Sequence, residues 1–319
     1  MIKIASQATF CEGDGVLLVG HGSRSEDGRR ELVALGDLSA RAVAPIPLRT
    51  GFLELSDPPA LDALEELASC GVRRVAVVPL MLNPAGHAKN DVPAVVIEGR
   101  RRYPGIEFTY GRALGVEHTT ISLARSRIET SGGHGLPLLV VARGTTEPEA
   151  NADGARVARL LAELCDAPTV VTGFSGLTWP LVPAALEQCR LLGASAIVQF
   201  AWYLCTGVLV DRMREEGADF AKRTGVDVIW AGHLGPDPEL APLVAARAAE
   251  ALAGEVKMSC DLCSYRAPFP GLEDRVGQAR GVGHSHLAVE HLTHGHSHAP
   301  ASEGPRVEPP ITATRPPTC

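Results

Sequence analysis

Two histidines and one glutamate occupy positions from which they could act together on a metal ion. His21 lies between two glycines, Glu54 follows an apolar segment, and His87 follows Gly86 in a glycine-containing loop. Each residue comes just after a short apolar segment of strand type. Because α/β sheets place their functional sites beyond the carboxyl ends of parallel strands, we expect the three side chains to meet there.

This combination of side chains favours transition-metal chemistry. Two imidazoles and one carboxylate suit a divalent ion, and three protein ligands leave coordination positions open. Alternatively, one imidazole holds the ion while the other accepts a proton, since free histidine titrates near pKa ~6.5. Taken singly, His21 or His87 could be a hydrogen-bonded loop residue, and Glu54 could be a helix cap. Their joint placement favours one shared catalytic site over three separate structural roles.

Short apolar segments alternate with helix-like segments through the first half of the chain, which predicts βαβ units and a parallel sheet. Residues 75–78 are apolar without alternation, as expected of a strand that helices cover on both faces. Asn90 and Asp91 are expected to open the third helix. The predicted strands are 16–19, 46–52, 74–82 and 106–110, and the predicted helices are 26–42, 59–70, 89–102 and 117–130.

The pattern repeats with a period of about 120 residues, which indicates an internal duplication. Thr50-Gly51-Phe52, for example, recurs as Thr172-Gly173-Phe174. We therefore predict an α/β protein of two duplicated, flavodoxin-like parallel-sheet lobes around a cleft. The expected divisions are an extension at 1–14, a catalytic lobe at 15–133, a degenerate lobe at 134–254 and a tail at 255–319. The second set of predicted strands is 137–142, 168–174, 195–202 and 226–231.

The second half departs from the first at the positions that matter for chemistry. Arg143 stands where His21 stands in the first half, and Gly176 stands at the position of Glu54. The region equivalent to His87 contains Cys205 and no histidine. The second half is thus expected to keep the fold without the metal chemistry. Arg143 could bind substrate carboxylates, or could simply be a surface arginine in a tight turn.

The tail carries a second group of potential metal ligands and is expected to be largely disordered, because it is rich in glycine, histidine and proline. A single C-x-x-C, here Cys260 and Cys263, is compatible with zinc, a redox pair or an iron–sulfur cluster. Two tails could together supply four thiolates, which would also give a homodimer. The histidines that could hold Co(II) or Ni(II) weakly are His284, His286, His291, His294, His296 and His298.

Composition argues against several other classes of partner. The formal net charge of −7 disfavours a nucleic-acid partner. The chain has no apolar run near the ~18 residues that span a bilayer, and residues 1–10 do not have the pattern of a signal peptide, so we expect a cytoplasmic protein without a membrane partner. No G-K-[ST] motif and no complete G-x-G-x-x-G motif occurs, so no nucleotide cofactor is expected.

Three segments in the first half, within a similarity that covers about residues 15–253 in two halves, resemble the sirohydrochlorin chelatase family. The resemblance implies a chelatase-like fold and ATP-independent insertion of cobalt, or iron in close relatives, into sirohydrochlorin. It also implies that His21 and His87 bind metal and take protons while Glu54 assists. The segments are Val19-Gly20-His21-Gly22-Ser23-Arg24, Gly51-Phe52-Leu53-Glu54, and Val78-Pro79-Leu80-Met81-Leu82 leading to Gly86-His87 and Asp91-Val92-Pro93.

The resemblance also suggests a substrate and a metal. Sirohydrochlorin is an anionic tetrapyrrole, and Arg24, Lys89 and Arg143 are the cations expected to contact it. Long cobaltochelatases of this family carry a Met-x-Cys-x-x-Cys motif and a histidine-rich tail, which favours Co2+ as substrate, a role in cobalamin biosynthesis of the anaerobic type, and an iron–sulfur cluster at Cys260 and Cys263. The alternatives are a ferrochelatase of siroheme synthesis and a non-enzymatic protein that delivers or stores metal through its tail.

The tail lies outside both duplicated halves, so a chain that ends at Gly254 should fold and should still insert metal at saturating Co2+. Absorption spectra of sirohydrochlorin with the shortened and full-length proteins would compare the two insertion rates. A loss of activity at saturating Co2+ would show that the tail belongs to the active site.

Overall fold

A computed structural model describes residues 10–254, which form eight strands and eight α-helices. The strands are β1 Asp14–Gly20, β2 Leu48–Phe52, β3 Arg74–Pro79, β4 Glu107–Tyr110, β5 Leu138–Ala142, β6 Val170–Phe174, β7 Ala196–Ala201 and β8 Asp227–Trp230. The helices are α1 Glu26–Val43, α2 Ala60–Ser69, α3 Val92–Arg102, α4 His118–Thr130, α5 Pro148–Leu164, α6 Val182–Leu191, α7 Val208–Thr224 and α8 Leu240–Leu252. A π-helical turn, His87–Asp91, precedes α3.

The strands form two four-stranded parallel sheets with the same topology. Their orders are β2-β1-β3-β4 and β6-β5-β7-β8. Corresponding strands also pair in the same register, since Leu18 lies opposite Thr50 in the first sheet and Val140 lies opposite Thr172 in the second. The predicted duplication of a parallel α/β unit is therefore confirmed.

Helices cover both faces of each sheet, as the uninterrupted apolar strands predict. In the first sheet, Val75 and Val77 pack among residues of α2 and α3, whereas Ala76 and Val78 belong to the core that contains α1 and α8. Strand β3 is shorter than the predicted strand 74–82, because its last residue paired with β1 is Pro79. The apolar residues that follow Pro79 are apolar because they are buried in the core, although they do not pair in a strand.

The two sequence halves exchange their last helices. Helix α8 packs on β3 and on α1 of the first half, while α4 packs on α5 and β7 of the second. The buried Arg247 of α8 fixes this arrangement by donating from Nε to the carbonyl of Ala113 at 3.1 Å and from Nη2 to that of Leu114 at 2.8 Å. A buried guanidinium needs such partners, so α8 is an integral part of the first sheet's packing.

Several predictions fall on residues that the structure does not describe. The extension up to residue 9 and the tail from residue 255 lie outside the described range, together with the predicted tail disorder, Cys260, Cys263 and the six tail histidines. Within residues 10–254, no helix is both long enough and apolar enough to cross a membrane.

Candidate metal centre

The structure brings together the three residues that the sequence singles out. His21 follows β1, Glu54 follows β2 and His87 follows β3, so all three lie at the carboxyl edge of the first sheet. Among the described residues they form the one group of potential ligands whose ligand atoms all lie within 4.8 Å of one another. Two ligand atoms bound at ~2.1 Å to one ion are at most about 4.2 Å apart. A small rotation of the side chains would therefore bring all three ligand atoms within binding distance of one metal ion.

The loop after β1 is held against the loop after β2 by a contact that requires glycine. Gly22 has φ +96°, and a Cβ atom there would overlap the backbone carbonyl oxygen of Glu54. A hydrogen bond between the two loops supports the same approach, since the backbone N–H of Ser23 donates to Ser56 Oγ at 3.0 Å. This packing places His21 Nε2 at 2.8 Å from Glu54 Oε1. The predicted tight turn is thus what joins two of the three ligands.

His87 is presented by the π-helical turn rather than by an ordinary loop. π-Helical turns are rare in proteins, and those that occur are often found at functional sites. The buried Asp91 accepts a hydrogen bond from His87 Nδ1 at 2.7 Å. Asp91 occupies the N-cap position of α3, as expected for the start of the third helix, but its side chain makes no capping hydrogen bond. Sequence reasoning missed its role in orienting His87, for which the i, i+4 spacing of the two residues was the available signal.

Hydrogen-bond partners at the Nδ1 atoms of the two imidazoles are compatible with metal binding through Nε2. His87 Nδ1 lies 2.7 Å from Asp91 Oδ2, and His21 Nδ1 lies 3.3 Å from the carbonyl oxygen of Gly22. A ring that donates its Nδ1 proton to such an acceptor carries its lone pair on Nε2, which is the atom that a metal would then bind. His21 Nε2 lies 2.8 Å from Glu54 Oε1, a contact that requires a proton or a cation between the two atoms.

The rings of His21 and His87 are close enough to affect each other's protonation. Their centroids lie 4.4 Å apart, with an interplanar angle of 80°. Burial of the imidazole, followed by the charge of His87, lowers the pKa of His21 from its ordinary value of 6.5, while the charge of Glu54 opposes this shift. His21 therefore favours the neutral form, which is the form that binds metal.

The second half retains the loop geometry of the first without its ligands. Thr145 N donates to Thr178 Oγ1 at 3.1 Å, which repeats the contact between Ser23 and Ser56. Arg143 is exposed at the position equivalent to His21. After burial and His87, the charge of Arg143 also contributes to lowering the pKa of His21, so the electrostatic influence of this guanidinium reaches the candidate metal centre.

The other two expected substrate contacts have different surroundings. Arg24 is exposed in the loop after β1, where it can meet a ligand. Lys89 is buried, with 3% of its side chain exposed, and it pairs with Glu147 and Glu149 of the second half. This corrects the expectation of a substrate contact, because its ammonium group is enclosed by carboxylates. Local sequence around Lys89 carries no signal of partners so distant in the chain.

Comparison with known proteins agrees with the duplicated fold. The family model CbiX matches residues 15–131 and again residues 137–251. The chain belongs to the CbiX family. This CbiX-family chain is 36% identical over 259 residues to a sirohydrochlorin cobaltochelatase of Priestia megaterium. The aligned region spans 79% of this chain and 84% of the relative. A sirohydrochlorin ferrochelatase of Bacillus subtilis is 26% identical over 204 residues, 63% of this chain and 78% of that protein. The protein is thus a member of the sirohydrochlorin chelatases, and its matched relatives in this family include both a cobaltochelatase and a ferrochelatase.

Solved structures show the same fold. The CbiX-family chain matches SirB from Bacillus subtilis with Fe3+ at a TM-score of 0.68 and 24% identity, over 76% of this chain and 96% of SirB. It also matches SirB from subspecies spizizenii in complex with cobalt, at a TM-score of 0.65 and 24% identity over 76% and 97% of the two chains. The arrangement of two duplicated parallel sheets is therefore the fold of a known chelatase.

Removal of the Asp91 carboxylate should weaken metal binding. Asp91→Ala deprives His87 of the acceptor that fixes its tautomer, and loss of such an outer partner typically costs ~10-fold to 100-fold in metal affinity. Calorimetric titration with Co2+ would measure the change. Asp62→Ala, at an exposed position in α2, is the control and should bind Co2+ as the unaltered protein does. Equal affinity of a folded Asp91→Ala protein would remove Asp91 from the site.

The pKa of His21 provides a test of the site's electrostatics in the absence of metal. The imidazole of His21 should titrate below 6.5, because burial and the charge of His87 disfavour its protonated form. Glu54→Gln should lower this pKa further, since the charge of Glu54 raises it. Chemical shifts of the His21 ring, followed by NMR across pH, report both values. A pKa that rises in Glu54→Gln would contradict the arrangement.

Proposed function

We propose that this chelatase inserts Co2+ into sirohydrochlorin without ATP, as one step of cobalamin biosynthesis of the anaerobic type. The observation that carries the proposal is the cluster of His21, Glu54 and His87, whose ligand atoms lie within 4.8 Å of one another. Cobalt is favoured because the cobaltochelatase relative is 36% identical, whereas two ferrochelatase relatives are 26% and 29% identical. Imidazole and carboxylate ligands alone do not select among these metals.

The geometry suggests separate tasks for the two histidines during insertion. Two pyrrole N–H protons must leave the ring as the metal enters it, so a ligand and a base must face the same macrocycle. His21 Nε2 and Glu54 Oε1, which lie 2.8 Å apart, bind the ion as adjacent ligands. His87 binds the incoming ion and then, as the ion passes to the ring, accepts one pyrrole proton at Nε2, and the Asp91 carboxylate at its Nδ1 stabilises the resulting imidazolium. The second pyrrole proton passes to His21 Nε2, which releases the ion in the same step.

Arginines beside the metal centre are suited to hold the anionic substrate. Arg24 and Arg143 are exposed, and the charge of Arg143 reaches His21. Guanidinium groups bind carboxylates in a bidentate manner, so they can fix the orientation of a ring that carries several carboxylates. In this role the second half contributes Arg143 at the position where the first half has its metal ligand.

An insertion assay tests the function directly. With sirohydrochlorin and Co2+, the absorption change should be faster than the spontaneous rate, and His87→Ala or His21→Ala should abolish the acceleration without unfolding the protein. Glu54→Gln should be milder, because the carboxylate assists the imidazoles. His118→Ala, at an exposed position on α4, is the matched control and should keep full activity. Near-normal turnover in a folded His87→Ala protein would remove His87 from the mechanism.

The same assay separates the two alternatives. A higher rate with Fe2+ than with Co2+ would identify a ferrochelatase, which the two ferrochelatase relatives keep in consideration. Rates equal to the spontaneous reaction with every metal would instead favour a metal-delivery or storage protein. The iron–sulfur cluster at Cys260 and Cys263, the homodimer through the tail, the histidine-rich metal reservoir and the cytoplasmic location stay predictions of the sequence.

A further inference from the structure

Lys89 connects the turn that carries His87 to the second half of the chain. It lies in the π-helical turn His87–Asp91, two positions after the histidine, and its ammonium group is 3.3 Å from Glu147 Oε2 and in contact with Glu149 Oε1. Only 3% of the Lys89 side chain is exposed, against 8% and 13% for the two glutamates. Both glutamates lie at the start of α5, directly after the loop that contains Arg143.

Burial makes this ion pair different from the many surface pairs of the chain. Exposed pairs contribute little to structure because solvent screens them and their side chains move freely. A buried ammonium group, in contrast, cannot leave its carboxylates without being stranded, which is strongly unfavourable. The pairing therefore limits where the backbone of the π-helical turn can lie relative to the second half.

A second contact holds the same segment on the other side of His87. Trp202, which follows β7, donates from its indole Nε1 to Asn83 Oδ1 at 3.2 Å. The chain segment with His87 is thus fixed to the second half both before and after the histidine, through Asn83 and Lys89. A one-turn π-helix has little stability of its own, so these outside contacts decide its position.

The equivalent segment of the second half is held in the reciprocal way. Residues 205–208 take the place that the His87 segment has in the first half, and Thr206 N donates to Glu31 Oε2 of α1 at 2.6 Å. His233 Nε2 lies 3.0 Å from the same oxygen. In each half, then, an acidic side chain of the other half holds the segment after the third strand. Only the first of these segments carries a histidine.

We propose that Lys89 is a positioning residue, through which Glu147 and Glu149 of the second half hold His87 at ligating distance from His21. The inference rests on the proposed metal centre of His21, Glu54 and His87. It gives the second half a function that does not require ligands of its own, since its buried carboxylates set the geometry of the centre on the first half.

The test removes the charges together, so that no buried charge is left unpaired. The variant Lys89→Met/Glu147→Gln/Glu149→Gln should fold, but should bind Co2+ ~10-fold or more weakly in a calorimetric titration, as expected when a histidine ligand loses its support. Its dissociation constant for sirohydrochlorin without metal should stay unchanged. Glu149→Gln alone, which leaves Lys89 paired with Glu147, is the milder variant and should shift Co2+ affinity in the same direction.

The control is an ion pair of the same chemistry at the surface. Lys222 pairs with Asp219 at 3.1 Å, and both side chains are largely exposed. Lys222→Met/Asp219→Asn should therefore leave Co2+ binding unchanged. His87→Ala is measured beside these variants as the reference for a lost ligand.

The outcomes separate this inference from the proposed function. A triple variant with a lowered melting temperature and unaltered Co2+ affinity would show a merely structural role and overturn the positioning role. Unaltered Co2+ affinity in Glu149→Gln, should the triple variant fail to fold, would do the same. If His87→Ala binds Co2+ weakly while these variants bind it fully, only the positioning role of Lys89 is refuted. If His87→Ala itself binds Co2+ fully, the metal centre is refuted.

Discussion

The close approach of the loops after β1 and β2 is the constraint on which the site depends. Two neighbouring parallel strands end at the same edge, and the absent side chain of Gly22 lets one loop rest on the carbonyl of Glu54. Any Cβ atom there would push the loops apart. Because His21 precedes this glycine and Glu54 supplies the carbonyl, the same contact that closes the loops also sets the distance between two ligands.

The duplicated half shows that this constraint belongs to the fold rather than to the chemistry. Gly144 makes the equivalent approach to the carbonyl of Gly176, although neither a histidine nor a carboxylate side chain is present there. The loop geometry is therefore common to both halves although only the first carries the candidate ligands, in keeping with the general separation between a fold and the sites built on it. In the proposed arrangement the second half supports the first through the exchanged helix α8, the buried carboxylates at Lys89 and the charge of Arg143.

Charge is distributed around the site in a manner that suits two reactants of opposite sign. Carboxylates lie directly against the imidazoles, with Glu54 at His21 and Asp91 at His87. Guanidinium groups are exposed nearby, at Arg24 and Arg143. In the proposed function the inner carboxylates favour a dication and the outer arginines favour an anionic ring.

The sequence by itself determined the strands, their duplication and the positions of His21, Glu54 and His87, because local apolar periodicity reports which residues follow each strand. Tertiary structure alone decided that α8 and α4 change places and that Lys89 is enclosed by Glu147 and Glu149. These outcomes depend on contacts between residues far apart in the chain, whose packing and charge pairing leave no local pattern. Asp91 lies between the two cases, since its spacing from His87 was visible but its hydrogen bond required the π-helical turn.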